Sequence, residues 1–117
     1  MSSPNLLELA SDHREQRILE GLQAVLRENE AYDFDRLVDL VRPESEFELR
    51  LLLGKLVRAG HLRILYRVLS PEAHGGIRDF DSLDEVPETI DDWRVGRQID
   101  VNAENIRALY ELGPAHV

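Results

Sequence analysis

A chain of 117 residues, 43% hydrophobic and 32% charged, is long enough for one compact domain and too apolar to be disordered throughout. It has no cysteine, which excludes disulfides and thiol catalysis, and no apolar run approaches the roughly 18 residues of a membrane span. Residues 1–5 also lack the basic and apolar segments of a signal peptide, so we expect a cytoplasmic protein.

The formal net charge of −9 is unevenly distributed along the chain. Residues 79–92 contain seven acidic side chains and no basic one, whereas residues 49–71 contain five basic side chains and no acidic one. An acidic chain binds a polyphosphate only where its basic residues gather on one face. Any nucleic-acid surface is therefore expected within residues 49–71.

The first two helices are predicted from caps and apolar spacing. Asp12 begins a capping-box pattern, and apolar residues follow at helical intervals to about residue 29. A second helix is expected to begin at Asp33 or Asp35. Pro43 ends it, because proline cannot continue a helix.

A third helix follows directly. Ser45 and Glu48 form another capping-box pair at its start, and the apolar spacing continues to Arg58 or Ala59. Gly60 is well placed for a left-handed cap at its end. The sequence therefore predicts three short helices joined by short connections.

The hydrophobic period then changes from 3.6 to 2, which is typical of strands. Residues 62–69 and residues 106–112 alternate in this way, and a short strand is expected at 98–101 before a turn at 102–105. We expect the first strand to pair with the last, as the stem of a hairpin. The residues between them are far more numerous than a hairpin loop needs, so they form an enlarged tip.

Three helices followed by strands in this order resemble a winged helix-turn-helix. The resemblance implies an α+β fold, with residues 1–61 as a helical core and residues 62–117 as a β wing. The enlarged tip at about 70–97 is then an insertion in the wing. We expect these parts to form one compact domain.

Two segments of the tip resemble the knuckles of a zinc ribbon. Residues 70–75 read Ser-Pro-Glu-Ala-His-Gly and residues 92–97 read Asp-Trp-Arg-Val-Gly-Arg, where a ribbon has Cys-Pro-x-Cys-x-Gly and Cys-x-x-Cys-Gly-Arg. The residues at the four ligand positions are Ser70, Ala73, Asp92 and Val95. None supplies a thiolate, so zinc binding is not carried over, and we expect no metal and no cofactor.

Apolar residues of the tip are expected to take over the packing that a metal would provide. They are Ile77, Phe80, Leu83, Val86, Ile90, Trp93 and Val95. The alternative is that both segments are ordinary surface turns that match the ribbon by chance.

The sequence indicates no catalytic site. The four histidines lie in separate predicted elements, with no pair at i, i+4 spacing. No nucleophile elbow is present, and the Gly75-Gly76 pair lacks the rest of a phosphate-binding loop. We therefore expect a protein that is not an enzyme.

The third helix carries the first candidate partner-binding site. Phe47 and Leu51 lie outside its predicted core side, with Lys55 and Arg58 further along, and three glutamates stand at its start. Such a face suits a protein partner better than a phosphate backbone. In the alternative interpretation, the apolar segment 6–9 folds over Phe47 and Leu51 and buries them.

The acidic segment carries the second candidate site, at Asp79, Asp81, Asp84 and Glu85. It is interpreted either as a contact for a basic partner or as a solvated acidic stretch. Its carboxylates are also expected to bind the arginines of the first wing strand and so to oppose DNA.

The interpretation favoured by these observations is a non-catalytic adaptor or small subunit of a bacterial multiprotein system, for example in signalling or anti-phage defence. The bacterial assignment follows by association from the basic residues, of which all but Lys55 are arginine. The rival is a winged-helix DNA-binding regulator, whose contacts would be Arg50, Lys55, Arg58, Arg63 and Arg67. A third interpretation is a structural subunit that assembles with itself through wing strands.

Overall fold

The structure, a computed structural model, describes residues 12–114. These residues form a mixed α+β fold of three helices and a small antiparallel sheet, accompanied by a β-hairpin. The helices are α1 (His13–Val25), α2 (Phe34–Val41) and α3 (Glu46–Arg58). The strands are β1 (Leu62–Leu69), β2 (Gly76–Phe80), β3 (Thr89–Asp92), β4 (Arg97–Asp100) and β5 (Ile106–Leu112). None of the helices in the described residues has both the length and the apolar character needed to cross a membrane.

The chain divides into two compact units. The helical unit contains the residues up to Arg63 and those from Tyr110 onward, and the β unit contains Ile64–Leu109. Strands β1 and β5 therefore each contribute residues to both units.

The predicted helix starts are confirmed by their caps. The side chain of Asp12 accepts a hydrogen bond from the amide of Glu15 at 2.9 Å. Asp33 and Ser45 cap α2 and α3 in the same way. Each cap satisfies a backbone donor that has no partner within its helix, which fixes where the helix begins.

The helix ends agree with prediction for α3 and differ for α1. Gly60 has a φ of 82°, the left-handed conformation expected after α3. The prediction that α1 extends to about residue 29 is wrong, because the helix ends at Val25 and Leu26 is extended. The guanidinium of Arg27 instead donates to the carbonyl of Ala24 at 2.9 Å, satisfying an acceptor that a longer helix would have used.

The core of the helical unit is built mainly from leucines on the inner faces of its three helices. Tyr32 joins this core from the α1–α2 connection. Its backbone forms a two-bond antiparallel bridge with Tyr110, at 2.8 Å and 2.7 Å. Burial, and secondarily a hydrogen bond to Glu30, raises the pKa of the Tyr32 hydroxyl above its ordinary value. The bridge thus fixes the connection against β5.

In the β unit, the expected pairing of the first and last strands is confirmed, because the sheet order is β2-β1-β5. Strand β2 pairs antiparallel with β1 on its other side, and β3 pairs with β4 as a separate hairpin. The strand expected at 98–101 is displaced by one residue, and the turn expected at 102–105 contains a short 3₁₀ helix.

A second, smaller core lies in the β unit, around Val68, Phe80 and Ile90. Phe80 and Ile90 confirm part of the expected tip packing, and Ile77 and Val86 are partly buried against the same cluster. Trp93 and Leu83 were expected to pack there too, and that prediction is wrong. Their side chains are 64% and 55% exposed, because Trp93 lies beyond the end of β3 and Leu83 lies in a surface 3₁₀ helix.

Candidate interaction surfaces

One face of α3 presents large apolar side chains to solvent. Phe47 is 68% exposed and Leu51 is 56% exposed. Gly54 and Arg58 follow at the next helical intervals, which places all four residues on one face. We call this set the α3 stripe. The opposite face is buried in the core through Leu49, Leu52, Leu53 and Leu56. The apolar residues 6–9, which the sequence offered as a cover for Phe47 and Leu51, lie outside the described residues.

Charge is divided between the two ends of α3. Glu46 and Glu48 lie in its first turn, whereas Lys55 and Arg58 lie in its last turn. This arrangement follows the helix macrodipole, which favours acids at the start of a helix and bases at its end. Glu48 is paired with Arg14 at 2.8 Å, so the exposed face of α3 has Glu46 at its acidic end, apolar side chains in the middle and Arg58 at its basic end.

Several arginines proposed for DNA contact are held by neighbours in the helical unit. The guanidinium of Arg50 lies 3.9 Å from the centre of the Phe34 ring. Arg63 forms an ion pair with Glu111 of β5. The expectation that Arg63 is bound by the acidic segment is thus wrong, because the adjacent strand β5 supplies the acid. Nζ of Lys55, in α3, lies 3.9 Å from a carboxylate oxygen of Glu15.

In the β unit, Arg67 is bound by the acidic segment as expected. Its guanidinium donates to both carboxylate oxygens of Asp79, at 2.7 Å and 3.0 Å. This two-bond geometry is the strongest form of arginine–carboxylate contact. Asp79 is consequently engaged within the fold.

The remaining candidate acids lie where β2 has ended. Asp81 directly follows that strand, and Asp84 and Glu85 lie in the 3₁₀ helix Leu83–Glu85. All three residues are exposed. They flank the exposed Leu83 in the sequence, which makes this short segment a separate acidic surface of the β unit.

The two knuckle-like segments are joined by a buried side-chain hydrogen bond. The hydroxyl of Ser70 lies 2.5 Å from Oδ2 of Asp92, and the two residues are 1% and 0% exposed. The amide of Ala73 donates to Oγ of Ser70 at 3.0 Å, and the amide of Arg94 donates to Oδ1 of Asp92 at 3.0 Å. The side-chain oxygens of Ser70 and Asp92 therefore accept hydrogen bonds from backbone amides. A zinc ribbon has cysteine sulfurs at the matching positions.

Further contacts join the same two segments. The indole of Trp93 donates to the carbonyl of Ile77 at 3.1 Å, and the guanidinium of Arg94 donates to the carbonyl of Gly76 at 2.9 Å. Arg97 also forms an ion pair with Glu72. We call segments 70–77 and 92–97, held by these contacts and the Ser70–Asp92 bond, the loop clamp.

Gly75 is required by the close approach within the loop clamp. A Cβ at this position would lie only 2.5 Å from Cζ of Arg94 and 2.7 Å from its Nε. Because Nε of Arg94 is fixed by its bond to the Gly76 carbonyl, the guanidinium has little freedom to withdraw. Gly75 therefore serves packing within the clamp.

The residues at the four knuckle positions do not fit zinc. A structural zinc site takes four nitrogen, sulfur or carboxylate ligands, and here only Asp92 belongs to those types. Its carboxylate oxygens already accept bonds from Ser70 and from the amide of Arg94. Across residues 12–114, no three histidine, aspartate or glutamate side chains come together as a metal-binding group.

No protein-family model, curated protein or solved structure matches this chain. Its functional assignment therefore depends on the two surfaces and the loop clamp described above. Sequence reasoning identified the exposed face of α3 and the two clamp segments. It missed the hydrogen bonds by which Trp93 and Arg94 join one clamp segment to the other. The available signal was the tryptophan next to an arginine in the second segment.

Proposed function

We propose that this chain is a non-catalytic protein-interaction module, which acts as an adaptor or small subunit in a bacterial multiprotein system. The observation that carries the proposal is the exposure of Phe47 and Leu51 next to each other on α3. Large apolar side chains in a contiguous exposed group are typical of protein-binding surfaces. Aromatic anchors of this kind supply much of the binding energy of protein interfaces.

The proposal includes a winged-helix architecture. The order of three helices followed by β1 supports it, as does the pairing of β1 with β5. In this architecture α3 occupies the place of the recognition helix, and β2 to β4 form the enlargement of the wing. Its loop clamp would then be a ribbon-like element held by hydrogen bonds and ion pairs instead of metal.

The contacts of the arginines support a protein partner over DNA. Arg50 is stacked on Phe34, and Arg63 and Arg67 are paired with carboxylates. Each of these contacts must be broken or shared before a phosphate is bound. A recognition helix usually reads base edges with the residues near its start. In α3 that end carries acids, which would repel the DNA backbone.

The exposed acids Asp81, Asp84 and Glu85 form the second proposed contact surface, for a partner with a basic patch. Exposed charge of one sign raises the rate of association with an oppositely charged surface and gives it a preferred orientation. We expect this surface to influence association rate, while the α3 stripe supplies the apolar anchor.

A capture experiment tests the proposal. The immobilised full chain is compared with the double variant Phe47→Glu/Leu51→Glu and with the matched control Leu40→Glu, in lysate of the source cells. Leu40 of α2 is 45% exposed and lies outside both proposed contact surfaces, so it controls for loss of an exposed leucine. We expect partners that are retained by the control and lost by the double variant. Equal capture by all three proteins would contradict a role for the stripe.

The rival function, DNA binding, is tested by a gel-shift titration at low salt. The basic residues at the end of α3, Lys55 and Arg58, are the observation that favours it. Tight binding that weakens steeply as salt rises is the signature of phosphate contacts. Such a result, reduced by Arg58→Ala, would replace the adaptor proposal.

A further inference from the structure

We propose that the partner of the α3 stripe is a second copy of this chain, bound with its α3 antiparallel to the first. This inference rests on the proposed function, because it names the partner of the same surface. The stripe is symmetric about a point between residues 52 and 53, since Phe47 and Arg58 are equally distant from it, as are Leu51 and Gly54. A two-fold axis at that point sets Phe47 of each copy level with Arg58 of the other.

The shapes of the paired residues are complementary. The same axis sets the exposed Leu51 of one copy level with Gly54 of the other, where there is no side chain. A large residue opposite a glycine lets two helices approach closely, so that the leucine fills the notch that the glycine leaves. Both notches are filled at once, because the contact is the same from either copy.

Phe47 is covered by Arg58 of the other copy. In the single chain, the Arg58 guanidinium lies over Gly54, with Nη1 3.3 Å from the position that a Cβ would take. This flexible end swings outward when Leu51 of the second copy enters the notch. It then lies level with a phenylalanine ring, and guanidinium–ring stacking is a favourable contact that this chain already uses between Arg50 and Phe34.

The charges of α3 select the antiparallel arrangement. In this register Glu46 of one copy lies level with Ala59 of the other, one residue from its Arg58, so acid lies beside base at both ends of the contact. Arg50 lies level with Lys55, and each of these two is already held within its own copy. A parallel copy would place like charges opposite each other, which is unfavourable. Charge complementarity and shape thus select the same orientation of the same occupant.

A cross-linking experiment tests this register directly. The chain has no cysteine, so Phe47→Cys and Arg58→Cys each introduce its only thiol. Under mild oxidation we expect the mixture of the two variants to form a disulfide-linked dimer. A dimer of either variant alone should stay uncross-linked. The thiols of its two copies would lie eleven residues apart, roughly 16 Å along the helix, which is too far for a disulfide. The mixed dimer keeps one native Phe47–Arg58 pair.

Sedimentation equilibrium of the full chain provides the second measurement. We expect the average mass to rise with concentration toward twice that of one chain. Phe47→Glu should weaken this association at least tenfold, and the control Leu40→Glu, at an exposed leucine of α2, should leave it unchanged. Circular dichroism verifies that all variants keep their helical content.

The proposal is overturned if the chain stays monomeric at every concentration. This holds whether the stripe is then exposed, covered by another segment of the chain or bound by a different protein. Cross-linking of Phe47→Cys alone as efficient as that of the mixture would also overturn it, because it indicates a parallel or random encounter. These results are distinguishable from failure of the proposed function. A monomer that captures a partner through Phe47 and Leu51 removes only the dimer, and a dimer that captures nothing removes only the adaptor role.

Discussion

The Ser70 hydroxyl donates a 2.5 Å hydrogen bond to Oδ2 of the Asp92 carboxylate, and both side chains are buried. A buried carboxylate is costly unless its oxygens are satisfied. Here Oδ2 is satisfied by Ser70 and Oδ1 by the amide of Arg94. The bond also joins two loops that are 22 residues apart in the chain. It is therefore a cross-link of the β unit.

We expect Ser70→Ala to lower the free energy of unfolding by about 2–4 kcal/mol, since it leaves Oδ2 of a buried carboxylate and the amide of Ala73 without their partner. Equilibrium unfolding in urea measures the change. Asp91→Ala is the matched control, because Asp91 is exposed and adjacent to Asp92. Its effect should stay within about 0.5 kcal/mol. Equal stability of Ser70→Ala and the parent would show that the bond does not stabilise the fold.

The knuckle-like geometry predicts that a metal site can be restored. The variant Ser70→Cys/Ala73→Cys/Asp92→Cys/Val95→Cys places four thiols at ribbon spacing, with the amides of Ala73 and Arg94 already directed at two of the positions. We expect it to bind one zinc per chain, with the absorption of tetrahedral thiolate coordination when cobalt is substituted.

Elemental analysis of the unaltered chain is the control for this restored site, and there we expect no stoichiometric zinc and no loss of melting temperature in chelator. Failure of the four-cysteine variant to bind zinc would show that the resemblance to a ribbon is only one of spacing. Zinc at one per unaltered chain would contradict the loop clamp as a metal-free element.

We expect stability to decline more steeply at high pH when Tyr32 is present. Its folded-state pKa is raised by burial, so the fold favours the protonated hydroxyl, whose ordinary pKa is 10.0. That contribution is complete below pH 10 and is lost as pH rises through the folded-state value. Tyr32→Phe should cost about 1 kcal/mol at pH 7, and its stability should fall less between pH 10 and 11. Parallel curves for the two proteins in this range would contradict the assignment.

Gly54→Ala is expected to change folding and association in opposite directions. In a helix interior alanine is about 0.8–1.0 kcal/mol more favourable than glycine, and the added Cβ meets only the flexible end of Arg58. Stability in urea should therefore rise, while dimer formation falls because the notch is filled. Gly21→Ala is the matched control in α1, where the Cβ would lie 3.0 Å from Cγ1 of the partly buried Val41 and the same gain is not expected.

Local sequence signals predicted the helical half well. Caps at Asp12, Asp33 and Ser45 fix helix starts because they are short-range hydrogen bonds within a few residues. The alternation in β1 and β5 predicted these strands and their pairing. It did not predict which of their residues are buried, because Leu65 and Leu109 are buried outside the alternating set that contains Leu62 and Val68.

The tip was less predictable, because its structure depends on distant contacts. Strand β3 and the end of β2 lie within the acidic segment. The pairing of β2 with β1 and of β3 with β4 follows from neighbours that local propensity does not identify. The sequence showed that positions 70 and 92 carry no thiolate, but not that the side-chain oxygens of Ser70 and Asp92 meet across 22 residues. Similarly, only the fold shows that Trp93 is exposed while its indole nitrogen holds the Ile77 carbonyl.

The central claim is that the α3 stripe binds protein. Photo-crosslinking tests it most directly, with p-benzoylphenylalanine in place of Phe47 in the full chain, in lysate of the source cells, and with the same group in place of Leu40 as the control position. Both positions are exposed, and Leu40 lies outside the two proposed contact surfaces. We predict protein adducts at position 47, to a second copy or to another protein, well above those at position 40. Equal yields at the two positions, or adducts at 47 that consist of nucleic acid, would contradict the claim.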